Sequence, residues 1–131
     1  MEPIFRNGIQ SRPSKHSVNE TVARIRTTLE AKKVTVFAIV DHSGEALKAG
    51  LQMPDTKLII FGNPAAGTPL MLSAPSTALD LPLKLLVAED SKAQVWVSWN
   101  APDYLRERHG FSSDLVGNIG VVEKIATEAA S

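Results

Sequence analysis

Cysteine is absent from the chain, which removes disulfide frameworks, thiolate nucleophiles and thiolate metal sites together. A charge excess is missing too. Lys plus Arg and Asp plus Glu number 14 each, so no net positive field draws the protein onto nucleic acid or an anionic membrane, and neither partner is expected. No apolar run approaches the roughly 20 residues of a membrane span. The N-terminal "MEPIFRNGIQSRPSKH" lacks the basic-then-apolar layout of a signal peptide. Repeats and low-complexity segments are lacking as well. These absences leave a soluble protein, and a reducing cytoplasm fits the lack of cysteine. At 131 residues the chain fits one domain able to bury a core without a disulfide or a metal.

What is present reads as alternating elements. Residues 1–12 are polar and contain proline, and are expected as a flexible lead to a domain over 13–131; the last alanines are expected to fray. In "SVNETVARIRTTLEAKK", Ser17 precedes Glu20 by three residues, the capping-box spacing. Val18, Val22, Ile25 and Leu29 then form one apolar stripe of a helix. "VTVFAIV" (34–40) is β-branched and nearly continuously apolar, as in a strand buried on both faces. "SGEALKAG" reads as a short helix closed by Gly50.

A second buried strand, "KLIIF" (57–61), ends at Gly62, Asn63 and Pro64, where Asn63 can cap a helix that Pro64 starts and that runs to about Ser73. Pro75 blocks its continuation. Residues 79–89 and 94–99 flank the polar "DSKA" as a hairpin. "APDYLRERHG" reads as a short helix stopped by Gly110, and "SSDLVGNIGVVEKIATEAA" as a closing helix with Leu115, Ile119, Val122 and Ala126 on one face. The segment between the two buried strands, about 16 residues, is long enough for a parallel pair. The expectation is therefore a two-layer α+β or α/β sandwich, a mixed sheet covered by helices. Val36, Phe37, Ile39, Leu58, Ile60, Leu85 and Val97 are expected in its core.

In "FGNPAAGT" a strand end meets a helix N-terminus, a place where free N–H groups can receive an anion. The stretch lacks both the Lys of a phosphate-binding loop and the three spaced glycines of a dinucleotide fold. A structural reading, in which Gly62 turns, Asn63 caps and Pro64 starts, accounts for it better than ligand contact does. Asp41, His42 and Ser43 end the other strand, and imidazole changes charge near neutral pH, so His42 is a candidate acid, base or metal ligand. With the two strands parallel, His42 and Asn63 would share one rim. Asp80 could meet Lys84 or a backbone donor. His109 stands at a helix end, where a cation suits the dipole. Ser43, Ser73 and Ser98 lie in no nucleophile elbow, so a serine hydrolase has no sequence support. Trp96 and Trp99 alternate onto opposite faces of one strand, which leaves one free for a dimer or ligand contact.

The segments "ETVARI", "VFAIVDHSGEALKAGL", "LIIFGNPAAGTPLM", "ALDLPLKLLVAED" and "VWVSWNAPDYLRERHG" follow in that order. Over residues 15–111 they resemble the bacterial and archaeal domain of unknown function 302, the DUF302 family, with its TT1751-like fold. The resemblance implies an α/β domain and brings no established reaction, ligand or cofactor. Asp41, His42, Gly62, Asn63, Pro64, Gly67, Thr68, Asp80, Leu81 and Pro82 match its pattern. "AKKVTV" departs from it, since the family more often has a glycine after the first helix.

The ligand-binding candidates are thus Asp41, His42, Ser43, Gly62, Asn63, Gly67, Thr68 and Asp80, with no metal site and no catalytic set assigned. A non-catalytic module for a small-molecule or anionic ligand is the leading expectation. The alternatives are an enzyme using His42 as acid, base or metal ligand, and a homodimeric structural domain.

Overall fold

A computed structural model describes residues 4–131, with side chains from Asn7 onward. The described residues form strands β1 (Ile4–Arg6), β2 (Ile9–Ser14), β3 (Thr35–Asp41), β4 (Thr56–Gly62), β5 (Leu83–Glu89) and β6 (Val95–Asn100). Helices are α1 (Val18–Ala31), α2 (His42–Lys48), α3 (Pro64–Ser73), α4 (Pro102–His109) and α5 (Val121–Ala130), with 3₁₀ turns at Pro75–Leu79 and Ser113–Ile119.

The strands make one sheet in the order β1-β2-β6-β5-β4-β3. Every pairing in it is antiparallel, so the expected mixed sheet and its parallel pair are not found. Length explains the difference. A parallel crossover must carry the chain back along the whole of β3, seven residues or about 24 Å. The seven residues of α2 cover only about 10 Å, and the chain then turns at Gly50 (φ 79°), where Leu51 N donates back to Ala46 O at 2.9 Å, so residues 49–55 do not complete a crossover and β4 runs back beside β3.

β3 is also the outer strand, not an interior one. Its register slips between Val36 and Ala38, which leaves Phe37 as a bulged residue with 52% of its surface exposed. An edge strand with a bulge re-aims one side chain out of the sheet, so Phe37 is not core. Val36 and Ile39 are partly buried against the core.

On β4, β5 and β6 the odd-numbered residues Ile59, Phe61, Leu85, Val87, Val97 and Trp99 are buried. They meet Val18, Val22, Ile25 and Leu29 of α1 and Val122, Ile125 and Ala126 of α5 in one cluster. Leu85 and Val97 are core as expected. Leu58 and Ile60 face the other way and are half-buried, because side chains alternate and Ile59 and Phe61 hold the helix-facing parity.

Described residues near each terminus, expected as a loose lead and as fraying alanines, pack onto the body of the fold. Asn7 and Gly8 have φ of 53° and 80°, the pair of left-handed residues that turns β1 into β2. A Cβ on Gly8 would overlap the ring of Tyr104. β2 then pairs along its length with β6, so the described part of the 1–12 lead belongs to the sheet. At the other end Ala129 and Ala130 are buried. Arg24 Nε donates to Ala129 O at 2.9 Å and Lys15 N to Ala130 O at 3.0 Å, satisfying carbonyls that a helix end leaves free. The closing helix starts later than expected, after the 3₁₀ turn that ends at Ile119.

Candidate functional site

Asn63 ends β4 and caps α3: its Oδ1 accepts from Ala65 N at 2.9 Å, and Pro64 occupies the first helical position. Ala66 N and Gly67 N donate to Asn63 O, both at 2.9 Å, and Pro64 has no N–H to offer. The donors that could have received an anion are spent on Asn63 itself, which corrects the expectation of a ready anion site there.

Beneath this helix lies a cavity of about 450 Å³. Phe61 and Leu83 come from the sheet, Met71 from α3, Leu81 and Pro82 from the segment before β5, and Ile119 from the second 3₁₀ turn. Phe37, Val34 and Val121 complete an apolar wall. Polar groups are few: Asn63, Thr68, Asn118 and the exposed Lys32. Asn118 Nδ2 donates to Ala66 O at 3.1 Å, which ties the 3₁₀ turn to α3 across the cavity.

Glycines set the shape of this cavity. A Cβ on Gly62 would stand 3.4 Å from Pro82 Cβ and 3.6 Å from Phe37 Cε2, so β4 passes between those two rings. A Cβ on Gly67 would stand 3.5 Å from Leu81 Cδ1, an ordinary contact, so any longer side chain there would enter the space.

Four of the expected residues, Gly62, Asn63, Gly67 and Thr68, thus line one cavity. Asp41 and Ser43 do not join them. Asp41 pairs with Lys57 and Thr35 with Gly62, so Asp41 and Asn63 are separated by about 20 Å along the strand pair. Asp41 and Ser43 border a second hollow of about 350 Å³ with Asn19, Leu47, Asp55 and Lys57. Asp41 Oδ1 accepts from Gly44 N and from Ser43 Oγ, each at 3.0 Å. The Gly44 N–H first and the Ser43 hydroxyl second hold the Asp41 carboxyl below its usual range.

His42 is the exposed first residue of α2 and lines neither cavity. The pocket shared by His42 and Asn63 therefore does not exist, because it required the parallel pair. Among the described residues no group of three or more His, Asp or Glu side chains could hold a metal ion.

Asp80 meets neither Lys84 nor the cavity. Its Oδ2 stands 2.5 Å from His109 Nε2 and 3.3 Å from Arg108 Nη1. His109 is folded inward rather than left at the helix end. Both tryptophans find partners in the chain: Trp99 is buried and donates to Gln10 Oε1 at 2.9 Å, and the half-buried Trp96 donates to Asp90 Oδ2 at 3.0 Å. Sequence reasoning missed Phe37, Met71, Ile119 and Asn118 as cavity residues. Only Phe37 carried a signal, as a large apolar residue on a strand that could be an edge.

The profile of a family described as "Domain of unknown function DUF302" matches residues 10–128. A crystal structure of an uncharacterized conserved DUF302 protein from Bacillus stearothermophilus superposes with a TM-score of 0.77 at 16% identity, over 94% of this chain and 95% of that one; the likeness shows the fold. Among curated proteins, two named fluoride-specific ion channels, from Brucella suis and Brucella melitensis, are each 41% identical over 96% of this chain. The match covers 52% of the first and 49% of the second, so the chain spans about half the length of these relatives.

Proposed function

The chain belongs to the DUF302 family, and from that footing we propose that it binds a small, largely apolar molecule in the cavity beneath α3. The observation that carries this reading is the cavity itself, about 450 Å³ and walled by Phe37, Phe61, Met71, Leu81 and Ile119. Close-packed interiors leave few voids larger than a water molecule, and ligand pockets span about 300 to 1,000 Å³ with apolar walls and few polar groups. Lys32 is the ionisable side chain among the lining residues, so the ligand carries its anionic or polar head toward Lys32 and its apolar body inward. One ionisable group provides no acid–base pair, which favours binding over catalysis in the cavity.

Thermal shift with straight-chain carboxylates and the matching alcohols tests this. Both series raise the melting temperature, the carboxylates more, and Lys32→Met removes the difference between them. No shift with either series contradicts the reading.

The curated relatives favour a second reading, in which this chain is an accessory to fluoride transport through the half it shares with them. No helix of the described residues is long and apolar enough to cross a membrane. A strain lacking this chain would be more sensitive to fluoride, and unchanged sensitivity contradicts that reading. A homodimer would use the sheet face turned away from α1 and α5, where Val40, Leu58 and Leu86 form one cross-strand apolar row. Sedimentation at high micromolar concentration showing monomer alone would contradict it.

A further inference from the structure

The imidazole of His109 has 2% of its side chain exposed and both of its nitrogens engaged. Nε2 stands 2.5 Å from Asp80 Oδ2, and Nδ1 stands 2.8 Å from Ser76 Oγ. An ionised carboxylate can only accept, so Nε2 carries the proton between them. In the neutral ring Nδ1 is then an acceptor, and the Ser76 hydroxyl donates to it. Arg108 Nη1 lies 3.3 Å from the same Asp80 oxygen and adds a second donor to that carboxylate. Ser76 is exposed. Three residues from the first 3₁₀ turn, its end and the end of α4 thus form a line of hydroxyl, imidazole and carboxylate, with the exposed hydroxyl at one end and the imidazole the most buried of the three.

That line is the arrangement in which a weak hydroxyl becomes a nucleophile, recognised by geometry and roles rather than by chain order. We propose that Ser76 is an activated nucleophile with His109 as its general base and Asp80 as the positioning residue, reactive toward small activated esters or thioesters arriving from solvent. Ser76 Oγ adds to the carbonyl carbon as its proton passes to His109 Nδ1. The carbon–oxygen or carbon–sulfur bond of the leaving group breaks, and the departing group takes that proton. Water then repeats the sequence on the acyl-serine, which releases the acid and restores the hydroxyl. Ser76, Asp80 and His109 do not line the cavity beneath α3, so this chemistry is separate from ligand binding there.

The same hydrogen bonds would exist in a mere staple between the 3₁₀ turn and α4, and reactivity separates the two. The whole chain is treated with a fluorophosphonate probe, whose phosphorus–fluorine bond breaks as the serine oxygen bonds to phosphorus, and labelled serines are identified by mass spectrometry. Ser76 is expected to label on the order of 100-fold faster than Ser43 or Ser98, the scale of general-base assistance. Asp80→Asn is expected to slow that labelling about tenfold or more and to remove a strongly downfield imidazole N–H proton signal. Labelling of Ser76 at the rate of the other serines overturns the proposal. Should Asp80→Asn fail to fold, the absence of cysteine supplies a second route. Ser76→Cys places a lone thiol against His109, and Ser113→Cys places one on an exposed turn. Faster alkylation by iodoacetamide at position 76 than at 113 supports an activating imidazole, and equal rates overturn it.

Discussion

Asp41 and Asn63 do the same job at opposite ends of one strand pair. Asp41 closes β3 and caps α2 through Gly44 N at 3.0 Å, and Asn63 closes β4 and caps α3 through Ala65 N at 2.9 Å. Because β3 and β4 run antiparallel, two similar strand-to-helix turns open onto two different hollows. Of these two hollows, the one at Asn63 is walled by Phe61, Met71, Leu81 and Ile119.

The cap at Asn63 can be separated from the cavity by substitution. Asn63→Ala removes the acceptor for Ala65 N and is expected to lower stability by about 0.5 to 2 kcal/mol. Asn63→Asp keeps the acceptor and stays within about 0.5 kcal/mol of the parent. Urea unfolding of both variants measures the difference; equal losses would mean that the cap is not what matters at this position.

Sheet facing makes a sharper contrast between adjacent residues. Ile59 is fully buried, and Ile59→Ala is expected to lose about 2 to 5 kcal/mol. Ile60 is half-buried on the other face, and Ile60→Ala should lose about 1 kcal/mol, the share of its area removed from water. Denaturant midpoints that fall equally for the two would contradict the register.

How much of this was legible in the sequence depends on how local the determinant is. Ser17 with Glu20, and Asn63 with Pro64, mark helix starts by chemistry within three residues, and α1 and α3 begin where those residues say. The continuous apolar run 34–40 reads as interior because nothing within it reveals that β4 pairs with it on one side only. The direction of β4 depends on what α2 can span, and the grouping of His42 with Asn63 failed with that direction. Asn7–Gly8 was legible, a two-residue hairpin signal, yet the polar surroundings read as a loose lead. The cavity was legible only in part, since Met71, Leu81 and Ile119 meet Phe61 through tertiary packing that no spacing in the chain records.

Lys33 sits at φ 57°, the left-handed region that glycine adopts without a steric penalty. A side chain there costs about 1 to 2 kcal/mol, offset in part by the about 0.5 to 1 kcal/mol of backbone entropy that glycine loses on folding. Lys33→Gly is therefore expected to gain about 0.5 to 1 kcal/mol. A lower melting temperature for this variant would show that the Lys33 side chain makes a stabilising contact.

The pH dependence at α2 has a definite sign. The Asp41 carboxyl is lowered by the Gly44 N–H and then the Ser43 hydroxyl, so its folded value lies below its unfolded one. Its contribution is present above the unfolded value and is lost as pH falls through the folded one. The stability gap between the parent and Asp41→Asn, which retains a cap without the charge, should be open at neutral pH and close in acid. Melting curves across that range check it, and a gap that widens in acid would reverse the assignment.

The central claim is that the space beneath α3 receives an apolar ligand, and Gly67 offers the most direct test. Its Cβ position faces Leu81 at ordinary contact distance, so Gly67→Leu fills the cavity from a helical position where leucine is the better helix former. Titration of decanoate followed by backbone amide NMR should give saturable shifts in the parent at Phe61, Gly62, Met71, Leu83 and Ile119. In Gly67→Leu those shifts should vanish while the rest of the spectrum keeps its dispersion. Equal binding by parent and variant, or shifts that gather around Asp41 and Lys57 instead, would contradict the account.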